Sequence, residues 1–123
     1  MTILAEVKKA VIVFNYAEKI KTSLIVASNL LEFLGGMRDA SEAAGAEKLL
    51  VAYFNALILE TNIAANASQM ERFRDVASKL EEAVEQIKQH NYGNVQRLVS
   101  EAISMATTNG NWAAQVLKEK DLI

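Results

Sequence analysis

Apolar residues recur every three or four positions over the first quarter of the chain, a spacing typical of an α-helix. Neither proline nor glycine interrupts the segment from Ile3 to Leu34, and Thr2 stands where an N-cap is expected. The mean spacing is about 3.4 residues, so the apolar stripe would drift around a straight helix. The helix should therefore supercoil, break near residues 15–22, or present its two halves to different partners, and we favour the third. The stripe consists of Ile3, Val7, Ala10, Phe14, Ala17, Ile20, Leu24, Ala27, Leu31 and Leu34.

Two further helices are predicted before residue 91. Glycine readily adopts the conformation of a helix C-cap, so Gly35-Gly36 should end the first helix and residues 37–45 should connect it to the second. The second helix is expected from about Ala46 to Ala65, with a wide apolar face. The segment Ser68-Gln69-Met70-Glu71 matches a capping box, in which serine and glutamate cap the first turn of a helix. A third helix should follow and end near His90.

The fourth helix should begin at Asn91 or Asn94 and stop at Asn109-Gly110. The buried stripes of the third and fourth helices are expected to consist of Met70, Phe73, Ala77, Leu80, Val84 and Ile87, and of Val95, Leu98, Val99, Ala102, Ile103 and Ala106. Asn111 could then cap a short C-terminal helix that carries Trp112, Val116 and Ile123 on one face. A chain of 123 residues is long enough to bury a core as one domain. The pattern thus predicts an all-α, antiparallel up-down bundle spanning residues 1–123, with four main helices, a long first helix and a short C-terminal helix.

Composition narrows the class of protein. Apolar residues make up 51% and charged residues 23%, an ordinary globular balance. The absence of cysteine excludes disulfides, thiolate metal sites and cysteine nucleophiles. The net charge of −2 argues against a broad nucleic-acid or anionic-membrane surface. The apolar runs are too short to span a membrane, and no signal peptide is evident, so we expect a cytoplasmic protein without a membrane partner.

Few residues could support catalysis, and we predict no catalytic, cofactor-binding or metal-binding residue. His90 is the only histidine, which argues against a histidine-based zinc site and a Ser-His-Asp triad. Glu60 is the one carboxylate predicted beside an apolar flank. It is either a buried acid with a raised pKa or a residue at the edge of the stripe that reaches water.

Two polar patterns leave alternatives open. Asn55, Asn62 and Asn66 share one face of the second helix, where they either face solvent or form a polar helix–helix contact that sets the register. Basic residues form a loose sector on the first helix and another on the third, each interleaved with carboxylates. They are either solvated or bind phosphates. These residues are Lys8, Lys9 and Lys19 on the first helix and Arg72 and Lys79 on the third.

The predicted helix lengths suggest that the protein binds a partner. The first helix should be about 48 Å long and no later helix longer than about 32 Å, so part of it should overhang. A second copy could cover the overhang, or the C-terminal helix could do so within one chain; we favour a homodimer. The function expected is that of a non-enzymatic interaction protein: an adaptor, a chaperone-like protein or a scaffold subunit. A helical subunit of a nucleic-acid complex is the alternative, and a carrier of apolar ligands a weaker third. The predicted interface comprises Ile3, Leu4, Val7, Val11, Phe14, Trp112, Val116 and Ile123.

Overall fold

A computed structural model describes residues 2–123 and shows a bundle of four α-helices. Connections of three or four residues join them in chain order, which brings consecutive helices side by side. The helices are α1 (Ile3–Gly35), α2 (Ala40–Ser68), α3 (Arg72–Lys88) and α4 (Tyr92–Glu119).

The helices form a closed ring in which each packs against two neighbours, and α1 contacts both α2 and α4. Side-chain contacts show that adjacent helices run in opposite directions. On α1, Ser28 lies opposite Gln96 of α4, with the Ser28 hydroxyl donating to Gln96 Oε1 at 3.1 Å. Ala17, earlier on α1, lies against Gly110, which comes later on α4. The all-α fold with four main helices is therefore confirmed.

The core of the bundle consists of one buried stripe from each helix. On α1 the buried residues follow one another at alternating steps of three and four, the spacing of a supercoiled helix. The predicted stripes of the third and fourth helices are buried at most positions, with Met70 and Ile103 half-buried. The buried residues of α1 are Ala10, Val13, Ala17, Ile20, Leu24, Ala27, Leu31 and Leu34.

Helix α1 is continuous across residues 15–22, and Thr2 caps it as predicted, since its side chain accepts from the Ala5 amide at 3.1 Å. The buried stripe runs from Ala10 to Leu34 at a mean spacing of about 3.4 residues, the same as in the prediction. Of the other predicted stripe residues, Ile3 is exposed, and Val7 and Phe14 are only half-buried. The supercoil is thus the alternative that the buried stripe supports.

The predicted start of the second helix at Ala46 is wrong, because α2 begins at Ala40. The Asp39 carboxylate accepts a hydrogen bond from the Glu42 amide at 3.0 Å and caps the helix there. Gly45 lies inside the helix at an exposed position. Most of the predicted connector is therefore helical, and α2 has 29 residues.

The prediction of a separate short C-terminal helix is also wrong, because α4 continues through Asn109-Gly110 to Glu119. Gly110 is buried, and a Cβ atom built on it would lie 3.4 Å from Ala17 Cβ. The two helices are therefore close at this point, where a methyl group would still fit and a larger side chain would not. With α2 at 29 and α4 at 28 residues, the length mismatch that predicted an overhang largely disappears.

The predicted capping box at Ser68 does not form. Ser68 ends α2, where its hydroxyl donates to the Ala64 carbonyl at 2.6 Å and accepts from the Met70 amide at 3.2 Å. Gln69 follows in the left-handed conformation and makes the turn. Glu71 precedes α3 without making a side-chain cap. The serine hydroxyl therefore caps the end of one helix instead of the start of the next.

Candidate functional site

One of the predicted interface residues is buried within its own chain, and the others are exposed or half-buried. Val116 is 8% exposed and belongs to the core of its own chain. Trp112 lies at the protein surface, with Lys9 Nζ 5.9 Å from the centre of its ring. Ile3, Leu4, Val11 and Ile123 are exposed, whereas Val7 and Phe14 are half-buried. The C-terminal part of α4 thus supplies packing that had been attributed to a second chain.

His90 of the α3–α4 connection and Tyr92, the first residue of α4, share a hydrogen-bond acceptor on α2. Glu47 Oε2 lies 2.9 Å from His90 Nδ1 and accepts from the Tyr92 hydroxyl at 2.6 Å. Burial and the Glu47 carboxylate raise the pKa of Tyr92 to about 12. The arrangement contains neither a nucleophile nor a metal-ligand set, and residues 2–123 contain no group of three or more potential metal ligands. It ties the α3–α4 turn to α2.

Glu60 forms an ion pair with Lys19 of α1, with 3.6 Å between Lys19 Nζ and Glu60 Oε1. Its side chain is 27% exposed, so it lies at the edge of the apolar stripe and reaches solvent. This is the second of the two alternatives considered for this carboxylate.

The basic residues of the predicted sectors mostly have carboxylate or aromatic neighbours. Lys79 Nζ lies 2.9 Å from Glu101 Oε2, and Arg97 contacts the other oxygen of the same carboxylate. The Lys79 ammonium, followed by the Arg97 guanidinium, lowers the pKa of Glu101. Lys19 is paired with Glu60, and Lys9 lies over Trp112. These contacts weigh against a continuous phosphate-binding strip.

The asparagine face of α2 makes one helix–helix contact. Asn66 Oδ1 accepts a hydrogen bond from the Arg74 guanidinium of α3. Asn55 is exposed and Asn62 half-buried. The register-setting contact proposed for three asparagines is therefore limited to Asn66.

An exposed apolar surface that was not predicted from the sequence lies on the outside of α1 and α2. Leu49 is 76% exposed, Phe33 72% and Leu59 64%, and no charged side chain occurs between Lys48 and Glu60 on α2. Because monomeric proteins rarely expose large contiguous apolar patches, such a surface indicates a binding site. We call it the α1–α2 face; it comprises Val26, Leu30, Phe33, Leu49, Ala52, Ala56, Leu59 and Ile63.

A groove of about 340 Å³ opens between the two helices at one end of this face. Phe33 and Leu49 form part of its wall. Its one polar side chain, Tyr53, is already satisfied, since its hydroxyl donates to the Ser23 carbonyl at 3.0 Å. The groove therefore offers apolar contact rather than hydrogen bonding. Its lining consists of Leu30, Phe33, Leu34, Met37, Ala46, Leu49, Leu50 and Tyr53.

The α2 part of the face forms a second heptad-like stripe. Its five residues follow one another at steps of three, four, three and four, as the core stripe does, but they point away from the core. The wide apolar face predicted for this helix was centred on Leu50, Phe54 and Leu57, with Leu49 at its flank, and a second stripe was not predicted. In the sequence, the outer stripe is a second series of apolar residues that begins at Leu49, one position before the core stripe. We call Leu49, Ala52, Ala56, Leu59 and Ile63 the outer stripe of α2.

Among residues 2–123, α2 is also the helix whose length and composition would suffice to cross a membrane. One third of its most apolar window is buried in the bundle, and the core helix of a soluble protein can meet the same criterion. The two stripes explain this property, because α2 is apolar on its inner and its outer side.

Comparisons with protein-family models, with curated proteins and with solved structures gave no match to this chain.

Proposed function

We propose that this chain is a non-enzymatic interaction protein, an adaptor or scaffold subunit, that binds a partner helix through the α1–α2 face. The exposed outer stripe of α2 is the observation that carries the proposal. A groove between two helices that is flanked by apolar side chains is a common docking site for the apolar face of an amphipathic helix.

The position of the charges supports a protein partner rather than a nucleic acid. Lys48 and the Lys19–Glu60 ion pair flank the apolar part of the face, and no basic cluster interrupts it. A nucleic-acid surface needs several unpaired cations, because phosphate neutralisation supplies most of its affinity.

The α1–α2 face can be tested by introducing charge. The double variant Leu49→Glu with Leu59→Glu places two carboxylates on the outer stripe at positions that are exposed in the chain. A matched control, Ser78→Glu with Ser100→Glu, makes the same charge change at exposed positions of α3 and α4. Tagged wild type, control and variant would be used to capture proteins from a lysate of the source cells.

We expect wild type and control to retain the same partner and the Leu49→Glu, Leu59→Glu variant to lose it, while its helical circular dichroism is unchanged. If all three proteins capture the same set of partners, the proposal is wrong. It is also wrong if the charged variant loses no partner at all, where a second copy of this chain counts as a partner.

The absence of catalysis is a separate part of the proposal. It rests on the contacts of His90 and Glu60, which pair with Glu47 and Lys19 respectively. Turnover in a broad hydrolase or transferase screen that disappears in His90→Ala or Glu60→Gln would contradict it.

A further inference from the structure

The outer stripe of α2 has an internal symmetry about Phe54. The residues two positions before and after Phe54 are both alanines, and the residues five positions before and after it are both leucines. At nine residues a glycine stands on one side and an isoleucine on the other. The symmetric pairs are Ala52 with Ala56, Leu49 with Leu59, and Gly45 with Ile63.

We propose that the α1–α2 face binds a second copy of this chain, with the two α2 helices packed antiparallel about a two-fold axis at the level of Phe54. The proposal rests on the proposed function and names the partner. In a two-fold interface the same patch is used twice, so residue i contacts residue j of the other copy and j contacts i. The symmetric pairs of the outer stripe meet this requirement.

The sizes of the paired residues suit such packing. Near the axis, Ala52 of each copy lies opposite Ala56 of the other. Because alanine is small, the axes of the two helices can approach to about 8 Å, the short end of the usual range of interaxial distances. Leu49 then packs against Leu59 of the second copy on either side of the centre. Farther out, Ile63 lies opposite Gly45, where a Cβ atom would meet nothing within 4 Å in the single chain.

The area and the charges fit a dimer. Six large apolar side chains of the α1–α2 face are between 42% and 76% exposed, and a face of this kind can contribute to an interface in which each partner usually buries about 800 Å². No charged residue lies between Lys48 and Glu60 on α2, so the central part of the contact buries no charge. Glu60 at the margin keeps its partner Lys19.

Mass and concentration give the first test. Sedimentation equilibrium of the whole chain between about 1 and 100 µM should show conversion to twice the 13.5 kDa chain mass, because interfaces of this size commonly reach such affinities. Leu59→Glu should remain at the mass of one chain, whereas Ser100→Glu should behave as wild type. A wild type that stays at 13.5 kDa up to 100 µM would overturn the proposal.

Register gives the second test, since the chain has no native cysteine. Leu49→Cys and Leu59→Cys proteins, mixed and exposed to oxidised glutathione, should form a mixed disulfide dimer. Each protein alone should not, because its cysteines would lie about 15 Å apart along the antiparallel helices. This exceeds the Cα separation of a disulfide. Cross-linking of Leu49→Cys with itself and not with Leu59→Cys would overturn the arrangement.

Other occupants of the face lead to different results. A monomeric chain that floats with phosphatidylcholine vesicles, and loses this property in Leu49→Glu with Leu59→Glu, would show a membrane surface as the occupant. A monomeric chain that captures a foreign protein through the same residues would leave the proposed function standing and refute the dimer.

Discussion

Asn109 is a fully buried amide in the core of the bundle. The two other buried polar side chains satisfy themselves within α2: the Thr61 hydroxyl donates to the Leu57 carbonyl and the Ser68 hydroxyl to the Ala64 carbonyl, each at 2.6 Å. In the part of the chain that the structure describes, neither polar atom of the Asn109 side chain has a hydrogen-bond partner. Since an unsatisfied buried group costs free energy, Asn109 should weaken the fold.

Replacing Asn109 with leucine, which has a similar shape, should raise the free energy of unfolding by about 1–3 kcal/mol. Urea denaturation followed by circular dichroism would measure the change. Thr61→Val is the matched control and should be close to neutral, because the Leu57 carbonyl keeps its helical partner. If Asn109→Leu lowered the stability, the amide would have to be hydrogen-bonded in solution.

Tyr92 should make stability depend on alkaline pH. Its pKa is raised to about 12 in the fold, above its ordinary value of 10.0, by burial and by the Glu47 carboxylate. The folded state therefore keeps the hydroxyl proton at a pH where the unfolded chain releases it. This stabilisation is present below pH 10 and is lost as the pH rises toward about 12.

Comparing wild type with Tyr92→Phe separates the contribution of Tyr92 to stability from that of the lysines, which titrate in the same pH range. At pH 8 it should be less stable than wild type by about 1 kcal/mol, because the hydrogen bond to Glu47 is gone. The difference should shrink between pH 10 and 12 in urea titrations. A difference that stays constant over this range would contradict the assignment.

At the level of the helices, close approach of α4 to α1 depends on Gly110. A Cβ atom at this position would be in ordinary contact with Ala17, at 3.4 Å, but a longer side chain would enter the space of α1. The position therefore limits side-chain size, while the conformation remains helical.

Gly110→Leu should lower the free energy of unfolding by about 1–3 kcal/mol, because it forces the two helices apart. Gly110→Ala should be neutral or stabilising by up to about 1 kcal/mol, since alanine has the higher helix propensity. Urea midpoints of both variants would measure this. Equal stability of Gly110→Leu and wild type would show that the helices are not closely packed here.

For the whole molecule, the ring of four helices around a continuous core predicts one cooperative unfolding transition. Trp112 is the only tryptophan and lies near one end of the bundle, whereas circular dichroism reports on all four helices. The urea midpoints from tryptophan fluorescence and from circular dichroism should coincide. Separate midpoints would show that the end of α4 near Trp112 unfolds independently.

The local periodicity of the sequence predicted much of the core. Phe73, Leu80 and Leu98 are buried as predicted, because the apolar stripe of an amphipathic helix leaves one choice for its inner side. Helix ends were predicted less well. Asn109-Gly110 resembles a helix stop, yet the low propensity of glycine costs only about 1 kcal/mol, which close packing against α1 can compensate.

The candidate binding surface could not be recognised from the sequence in the same way. Helix α2 has two apolar stripes of equal spacing, one beginning at Leu49 and one at Leu50. Either could face the core as far as periodicity is concerned. The prediction that Leu50, Phe54 and Leu57 lie at the centre of the buried face is confirmed. The outer stripe was not identified, because the charged and polar residues that mark the outer side of α3 are missing between Lys48 and Glu60, apart from Asn55.

By itself, the sequence thus determined the helical class and the inner faces of α3 and α4, because these depend on contacts between residues three or four apart. The tertiary structure decided that α4 continues past Gly110, that α2 begins at Ala40, and that the stripe from Leu49 to Ile63 remains outside. These choices depend on which neighbouring helix covers each face. That information is spread over residues distant in sequence and becomes available only when the helices pack together.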